Sequence, residues 1–131
     1  MAEELQLLKG REDALLQCEE KILGALGLAR NAGALAIGAD AVEIALRSGK
    51  AKLVFLANNL SANSSEKILR LIGTTGTKYM ILPSSTEVLA RRLGKTGLVG
   101  LCALTKSGFD KIIFKAIRDN ENSLDNTTEV Q

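Results

Sequence analysis

The sequence of 131 residues contains no histidine and no tryptophan, one proline, two cysteines and only 3% aromatic residues. Without histidine, the side chain that most often acts as a general base is missing. Cys18 and Cys102 are too few for a disulfide framework, and without an imidazole they cannot build a usual zinc site. No apolar run approaches the ~20 residues of a membrane span, and the first residues are acidic where a signal peptide is basic. We therefore expect a cytoplasmic protein with reduced cysteines, no bound metal and no membrane contact.

The motifs of common cofactor sites are also missing. No phosphate-binding loop of the Gly-x-x-x-x-Gly-Lys-Ser/Thr type occurs. Gly24 and Gly27 fall inside a predicted helix, whereas a dinucleotide site needs its glycines directly after a strand. Most serines stand at predicted helix starts, where capping is their usual role. The sequence predicts no catalytic residue and no cofactor.

Charge is distributed unevenly along the chain. Residues 20–115 carry 14 lysines and arginines against six acids, a net charge of +8, while residues 1–19 and 116–131 are each −3. A basic body with acidic ends suits a polyanionic partner. Lysine used only for solubility is the alternative interpretation.

Helical and strand patterns alternate through the chain. Helical periodicity covers about residues 20–32 and the segment between Gly38 and Gly49, and continuous apolar runs of strand length occupy residues 52–57, 78–82 and 98–105. A strand with no polar alternation is covered on both faces. The pattern therefore predicts an α/β fold, a three-layer α/β/α sandwich with a small mixed sheet.

Helix boundaries follow from capping signals. Asn63 with Glu66, and Ser84 with Glu87, have the spacing of capping boxes, so we expect them to open two helices. Gly73 is the expected end of the first of these helices. The last helix is predicted from residue 107 to residue 117.

The chain is expected to divide into three parts. Residues 1–19 form an acidic, helix-compatible extension, residues 20–117 form the α/β/α domain, and residues 118–131 form a disordered acidic tail.

Several motifs resemble one known family. "RSGKAKLVFLANN" from Arg47, "LGLARNAGALAIG" from Leu26 and "STEVLARRLGKTGLVGLCALTKSGF" from Ser85 occur in the order found in the kink-turn RNA-binding ribosomal-protein family of the L7Ae type. The sequence is most similar to its small bacterial YlxQ-like branch. The resemblance covers roughly residues 21–115 and implies a monomeric, non-catalytic, ribosomal or ribosome-associated protein that binds structured RNA such as rRNA.

The resemblance also implies an RNA-binding face made of three loops. In the family, a glycine opens the second helix beside the RNA, a polar loop follows the next strand, and an apolar loop packs on an extruded nucleotide. Basic side chains neutralise phosphates. Carried onto this sequence, the candidate RNA-binding residues are Arg30, Gly38, Ala39, Asp40, Ala41, Lys50, Asn58, Asn59, Lys95, Leu98 and Val99.

The loop at Gly38 departs from the family pattern. Asp40 stands where the family has asparagine, Ala41 where it has glutamate, and Ile44 near its usual lysine. A carboxylate cannot donate the hydrogen bonds of an amide, and phosphates repel it. A second hypothesis therefore stays open, a protein-interaction module that kept the fold and lost kink-turn recognition.

Overall fold

The computed structural model describes the backbone of residues 17–130 and the side chains of residues 17–119, and within this part five helices alternate with four strands. The elements are α1 (Glu19–Asn31), β1 (Leu35–Ile37), α2 (Ala39–Arg47), β2 (Leu53–Leu56), α3 (Ala62–Thr75), β3 (Lys78–Ile81), α4 (Thr86–Arg92), β4 (Leu101–Leu104) and α5 (Phe109–Val130). The predicted alternation of helix and strand is confirmed. Most of the predicted extension, residues 1–16, lies outside the described residues, and the division of the chain into three parts stays a prediction.

The four strands form one mixed sheet in the order β1-β4-β2-β3. β2 runs parallel to β3, and β4 runs antiparallel to both β1 and β2. As a result β1, β2 and β3 all finish at the end of the sheet where β4 begins. We call this the Gly38 end, and we call the opposite end, where β2 and β3 begin and β4 finishes, the far end.

Both faces of the sheet are covered by helices. Leu53 and Phe55 of β2 pack in one apolar cluster with side chains of α1, α4 and α5. Val54 and Leu56, which alternate with them, pack in a second cluster with side chains of α2 and α3. Every residue of β2 is buried, as the continuous apolar run predicts for a central strand. The three-layer α/β/α sandwich with a small mixed sheet is confirmed.

The capping signals assigned two helix starts wrongly. Ser61, not Asn63, caps α3, because its Oγ accepts a hydrogen bond from the Ser64 N–H at 3.3 Å. Ser85, not Ser84, caps α4 by accepting from the Val88 N–H at 3.2 Å. The Ser84 hydroxyl is buried and instead donates to Glu19 at 2.6 Å. Ser84 and Ser85 each have a hydroxyl oxygen that can accept a capping hydrogen bond. The backbone conformation at the cap position decides which of the two is used.

Two helices run further than predicted. α3 continues past Gly73 and ends at Gly76, whose φ of +73° is the left-handed conformation in which glycine is favoured at a helix end. α5 continues from Phe109 to Val130, through the segment predicted to be a disordered tail. Neither glycine nor proline occurs between these two residues, so no backbone breaker interrupts the helix.

Both cysteines are buried thiols that form no disulfide bond among the described residues. Burial raises the pKa of the Cys102 thiol to about 12, because the interior disfavours the thiolate. Among the described residues no cluster of histidine, cysteine or acidic side chains could hold a metal ion. In the same part of the chain, no helix combines the length and the apolar character needed to cross a membrane.

The start of α3 allows a direct test of the corrected cap. Ser61→Ala removes the acceptor for the Ser64 N–H and should lower the free energy of unfolding by about 1 kcal/mol. Asn63→Ala is the matched control, since Asn63 is an exposed residue inside the helix, and it should change stability by less than about 0.5 kcal/mol. Urea denaturation of both variants measures the difference, and a larger loss for Asn63→Ala would contradict the assignment.

Candidate nucleic-acid interface

Gly38 opens α2 in a backbone conformation that other residues rarely adopt. Its φ is +96° and its ψ is 163°, a region essentially restricted to glycine. Apart from Gly38 and its two chain neighbours, no described atom lies within 4 Å of the position that a Cβ would take. The glycine is therefore required by the backbone and not by close packing, and the space beside it is open to a ligand.

The N-terminus of α2 follows directly from this conformation. The Gly38 N–H donates to the carbonyl of Leu101 at 2.9 Å, and the Gly38 carbonyl accepts from the Val42 N–H at 3.0 Å. No side chain of the described residues caps the helix. The N–H groups of the first turn have no acceptor within the helix, so they can donate to a ligand beside Gly38.

The loop after β2 carries the two predicted asparagines. The Asn58 side-chain amide donates to the Pro83 carbonyl at 2.7 Å, and the Asn59 carbonyl oxygen accepts from the Thr86 N–H at 2.9 Å. Asn58 thus attaches this loop to the loop that precedes α4, and Asn59 attaches it to the first residue of α4. Each asparagine is exposed and has used one side of its amide, so the other side faces solvent.

In the loop before β4, the two residues predicted to make apolar contacts differ in their exposure to solvent. Leu98 is 67% exposed, whereas Val99 is 4% exposed and belongs to the core cluster beneath α1 and α4. The Val99 N–H donates to the Thr86 carbonyl at 3.1 Å, which turns its side chain inward. Val99 therefore lies in the core, and Leu98 is the exposed apolar side chain of this loop.

Backbone hydrogen bonds at the start of β4 hold the segments that follow β1 and β2. Gly38 is bonded to Leu101, and the Ala57 N–H donates to the Gly100 carbonyl at 2.9 Å. A Cβ on Gly100 would lie 2.5 Å from a terminal methyl of Leu60, so any larger residue at this position would require the Leu60 side chain to shift. Leu60 and Gly100 were missed in the sequence, where a glycine inside an apolar run was the signal. We call residues 38–41, 58–60 and 95–100 together the Gly38 surface.

Two of the predicted basic residues lie away from Gly38. Lys50 follows α2, whose nine residues extend it about 13 Å from Gly38, and the neighbouring Lys52 N–H donates to Leu104 at the far end. Arg30, in the last turn of α1, lies against Gly94, where a Cβ would be 3.5 Å from its guanidinium. Lys95 is exposed in the loop before β4. The predicted basic residues therefore do not form one group around Gly38.

The exposed chemistry of the Gly38 surface is mixed. Asp40 is exposed in the first turn of α2, and no described residue forms an ion pair with it. Ile44, one turn further along α2, is 68% exposed, comparable to Leu98. The surface thus combines free backbone donors, asparagine amides, one acid and nearby apolar side chains.

Known proteins share this architecture. A chain described as a protein of unknown function from Bacillus halodurans C superposes with a TM-score of 0.67 at 26% identity, over 75% of this chain and 97% of that one. The Giardia lamblia 15.5kD RNA binding protein superposes with a TM-score of 0.64, over 81% of this chain and 89% of its own. At 17% identity, the second similarity concerns the fold alone.

Sequence comparisons give the family. The chain is 35% identical over 88 residues to the RNA-binding protein YlxQ of Bacillus subtilis (strain 168), which covers 64% of this chain and 82% of YlxQ. The model of the Ribosomal protein L7Ae/L30e/S12e/Gadd45 family matches residues 20–114. These matches confirm the resemblance inferred from the motifs, including the YlxQ-like branch. The chain belongs to the ribosomal protein L7Ae/L30e/S12e/Gadd45 family.

Proposed function

We propose that this protein binds structured RNA through the Gly38 surface and is not an enzyme. The observation that carries the proposal is the conformation of Gly38, which opens α2 with no side chain over its first turn. Family membership and the similarity to YlxQ, an RNA-binding protein by name, support RNA as the partner.

Each part of the surface can make a different contact with RNA. The N–H groups at the start of α2 can donate to phosphate or base oxygens, and the Asn58 and Asn59 amides can donate or accept at base edges. Leu98 offers an apolar contact for an unstacked base, which single-stranded regions of folded RNA supply. Lys95, in the same loop as Leu98, can neutralise a phosphate.

The finer proposal is that the RNA contains a kink-turn-like bend and belongs to rRNA or a ribosome-associated RNA. It is supported by the family's ribosomal membership and by the joining of three loops into one surface. We further propose that the protein acts as a monomer.

Replacing Gly38 tests the proposed surface. Gly38→Ala should lower the preference for a standard kink-turn RNA, measured as the ratio of its affinity to that for an unkinked duplex, at least tenfold. The reason is that the added methyl group would stand where the RNA backbone approaches. Gly33→Ala is the matched control, since Gly33 also has a positive φ, +69°, but precedes β1 at the far end. Both variants should lose about 1–2 kcal/mol of stability, measured by urea denaturation.

The titration separates the outcomes. A wild-type protein that prefers the kinked RNA, with the preference lost only in Gly38→Ala, agrees with the proposal. Equal loss of preference in Gly33→Ala would mean that reduced stability, and not the Gly38 surface, controls binding.

Asp40 should limit the affinity. Its carboxylate lies at the start of α2, where it can only accept hydrogen bonds and repels phosphates. Asp40→Asn should therefore tighten kink-turn binding roughly tenfold, about 1.4 kcal/mol. Asp119→Asn, an exposed acid on α5, removes the same charge elsewhere and should have little effect. Unchanged affinity in Asp40→Asn would place the RNA away from α2.

A second candidate function has its own supporting observation. Ile44 and Leu98 are both more than 60% exposed and apolar, which a protein partner could cover. The same titration decides between the candidates, because a protein-interaction module would show no preference for the kinked RNA.

A further inference from the structure

The far end of the sheet carries an accumulation of lysines. β2 is preceded by Lys50 and Lys52, β3 starts with Lys78, and β4 is followed by Lys106. A fifth lysine, Lys111, lies in the first turn of α5. We call these five residues the basic end.

Strand pairing places three of these lysines side by side. The Lys52 N–H donates to the Leu104 carbonyl at 2.7 Å, and Lys106 follows two residues later. On the other side, Leu53 pairs with Lys78 in the parallel register. Adjacent strands are about 4.8 Å apart, so the strand positions carrying these lysines span only about 10 Å across the sheet.

The loop after α2 and the first turn of α5 add the other two lysines. The Lys50 N–H donates to the Ala45 carbonyl at 2.9 Å, which folds the loop back against the end of α2. The Lys78 ammonium lies 5.6 Å from the centre of the Phe114 ring, so α5 stands beside β3. Lys111 is three residues before Phe114 on that helix and therefore on the same side.

Little acidic charge offsets this cluster within the described residues. Asp110 is the nearby acid, and its carboxylate accepts from the Gly108 N–H at 3.0 Å. Glu43 pairs with Arg47 and Lys67, and Glu66 pairs with Arg70. No described acid pairs with Lys50, Lys52 or Lys106, which are all exposed.

The Gly38 end has the opposite character. Asp40 lies there, Glu19 binds Ser84 beside the asparagine loop, and Glu87 stands in the first turn of α4. Lysines kept only for solubility would not need to collect at one end of a sheet while acids collect at the other. Five of the 14 lysines and arginines in residues 20–115 thus lie at the far end, opposite the proposed RNA-reading surface.

We propose that the basic end binds the phosphate backbone of RNA without reading its sequence. Ammonium groups on flexible stems suit phosphates as point charges, and such contacts carry no base specificity. The two surfaces lie at opposite ends of the sheet, so they contact different segments of one folded RNA. The choice of RNA as the polyanion rests on the proposed function, whereas the site itself does not involve Gly38.

The test compares two variants with the same loss of charge. Lys50→Gln/Lys52→Gln/Lys106→Gln removes three exposed lysines of the basic end, and Lys21→Gln/Arg91→Gln/Arg118→Gln removes three exposed charges elsewhere. Each is titrated by fluorescence anisotropy against an unkinked RNA duplex at several salt concentrations. Urea denaturation verifies that both variants keep the wild-type fold.

The basic-end variant should lose at least tenfold in duplex affinity at low salt. Its plot of log affinity against log salt should be shallower by about two to three, roughly one per lost phosphate contact. The control variant should keep most of the wild-type affinity, and its slope should change by less than half as much as that of the basic-end variant. Equal losses in both variants, no loss in either, or no duplex binding by the wild-type protein would each overturn the proposal.

Two further measurements identify the partner and separate the two proposals. Displacement of the duplex by poly-glutamate at equal charge concentration would overturn RNA as the ligand of the basic end. The basic-end variant should keep the preference for the kink-turn RNA over the duplex, because that preference depends on the Gly38 surface. Failure of kink-turn preference alone would therefore contradict the Gly38 surface, whereas failure of the lysine dependence alone would contradict the basic end.

Discussion

The hydrogen bonds that tie the start of β4 to its neighbouring loops are the constraint on which the candidate site depends. Leu101 accepts from Gly38, and Gly100 accepts from Ala57, so the loops after β1 and β2 are fixed against one strand. The first of these bonds comes with a backbone conformation at Gly38 that is essentially restricted to glycine, and Gly100 leaves room for the Leu60 side chain to pack beside it. A rigid sheet thereby positions backbone donors that a flexible loop would present without fixed geometry.

Antiparallel pairing of β4 with β2 also separates two kinds of chemistry. Donor groups and apolar side chains collect where β1, β2 and β3 finish, and lysines collect where β2 and β3 begin. Shape recognition and phosphate attraction can therefore act on different segments of a ligand. In the proposed complex, the exposed carboxylate of Asp40 would repel RNA phosphates at one end of the sheet, and the exposed ammonium group of Lys52 would attract them at the other.

Local patterns in the sequence predicted the elements well but not every position within the fold. The apolar run of β2 identified a central strand, and Gly38 marked the start of α2, because both signals are local. The burial of Val99 and the location of Lys50 at the far end depend on strand register, which no local pattern contains. The cap at Ser61 was missed because several polar residues there have similar propensities.

Chemical-shift mapping of the backbone amides by NMR, with a kink-turn RNA added stepwise, shows directly which loops contact the RNA. The largest changes are expected in residues 38–41, 58–60 and 95–100, with smaller, salt-sensitive changes near Lys52 and Lys106. Changes confined to the far end, with the amides around Gly38 unaffected, would contradict the claim that the loops joined at β4 recognise the RNA.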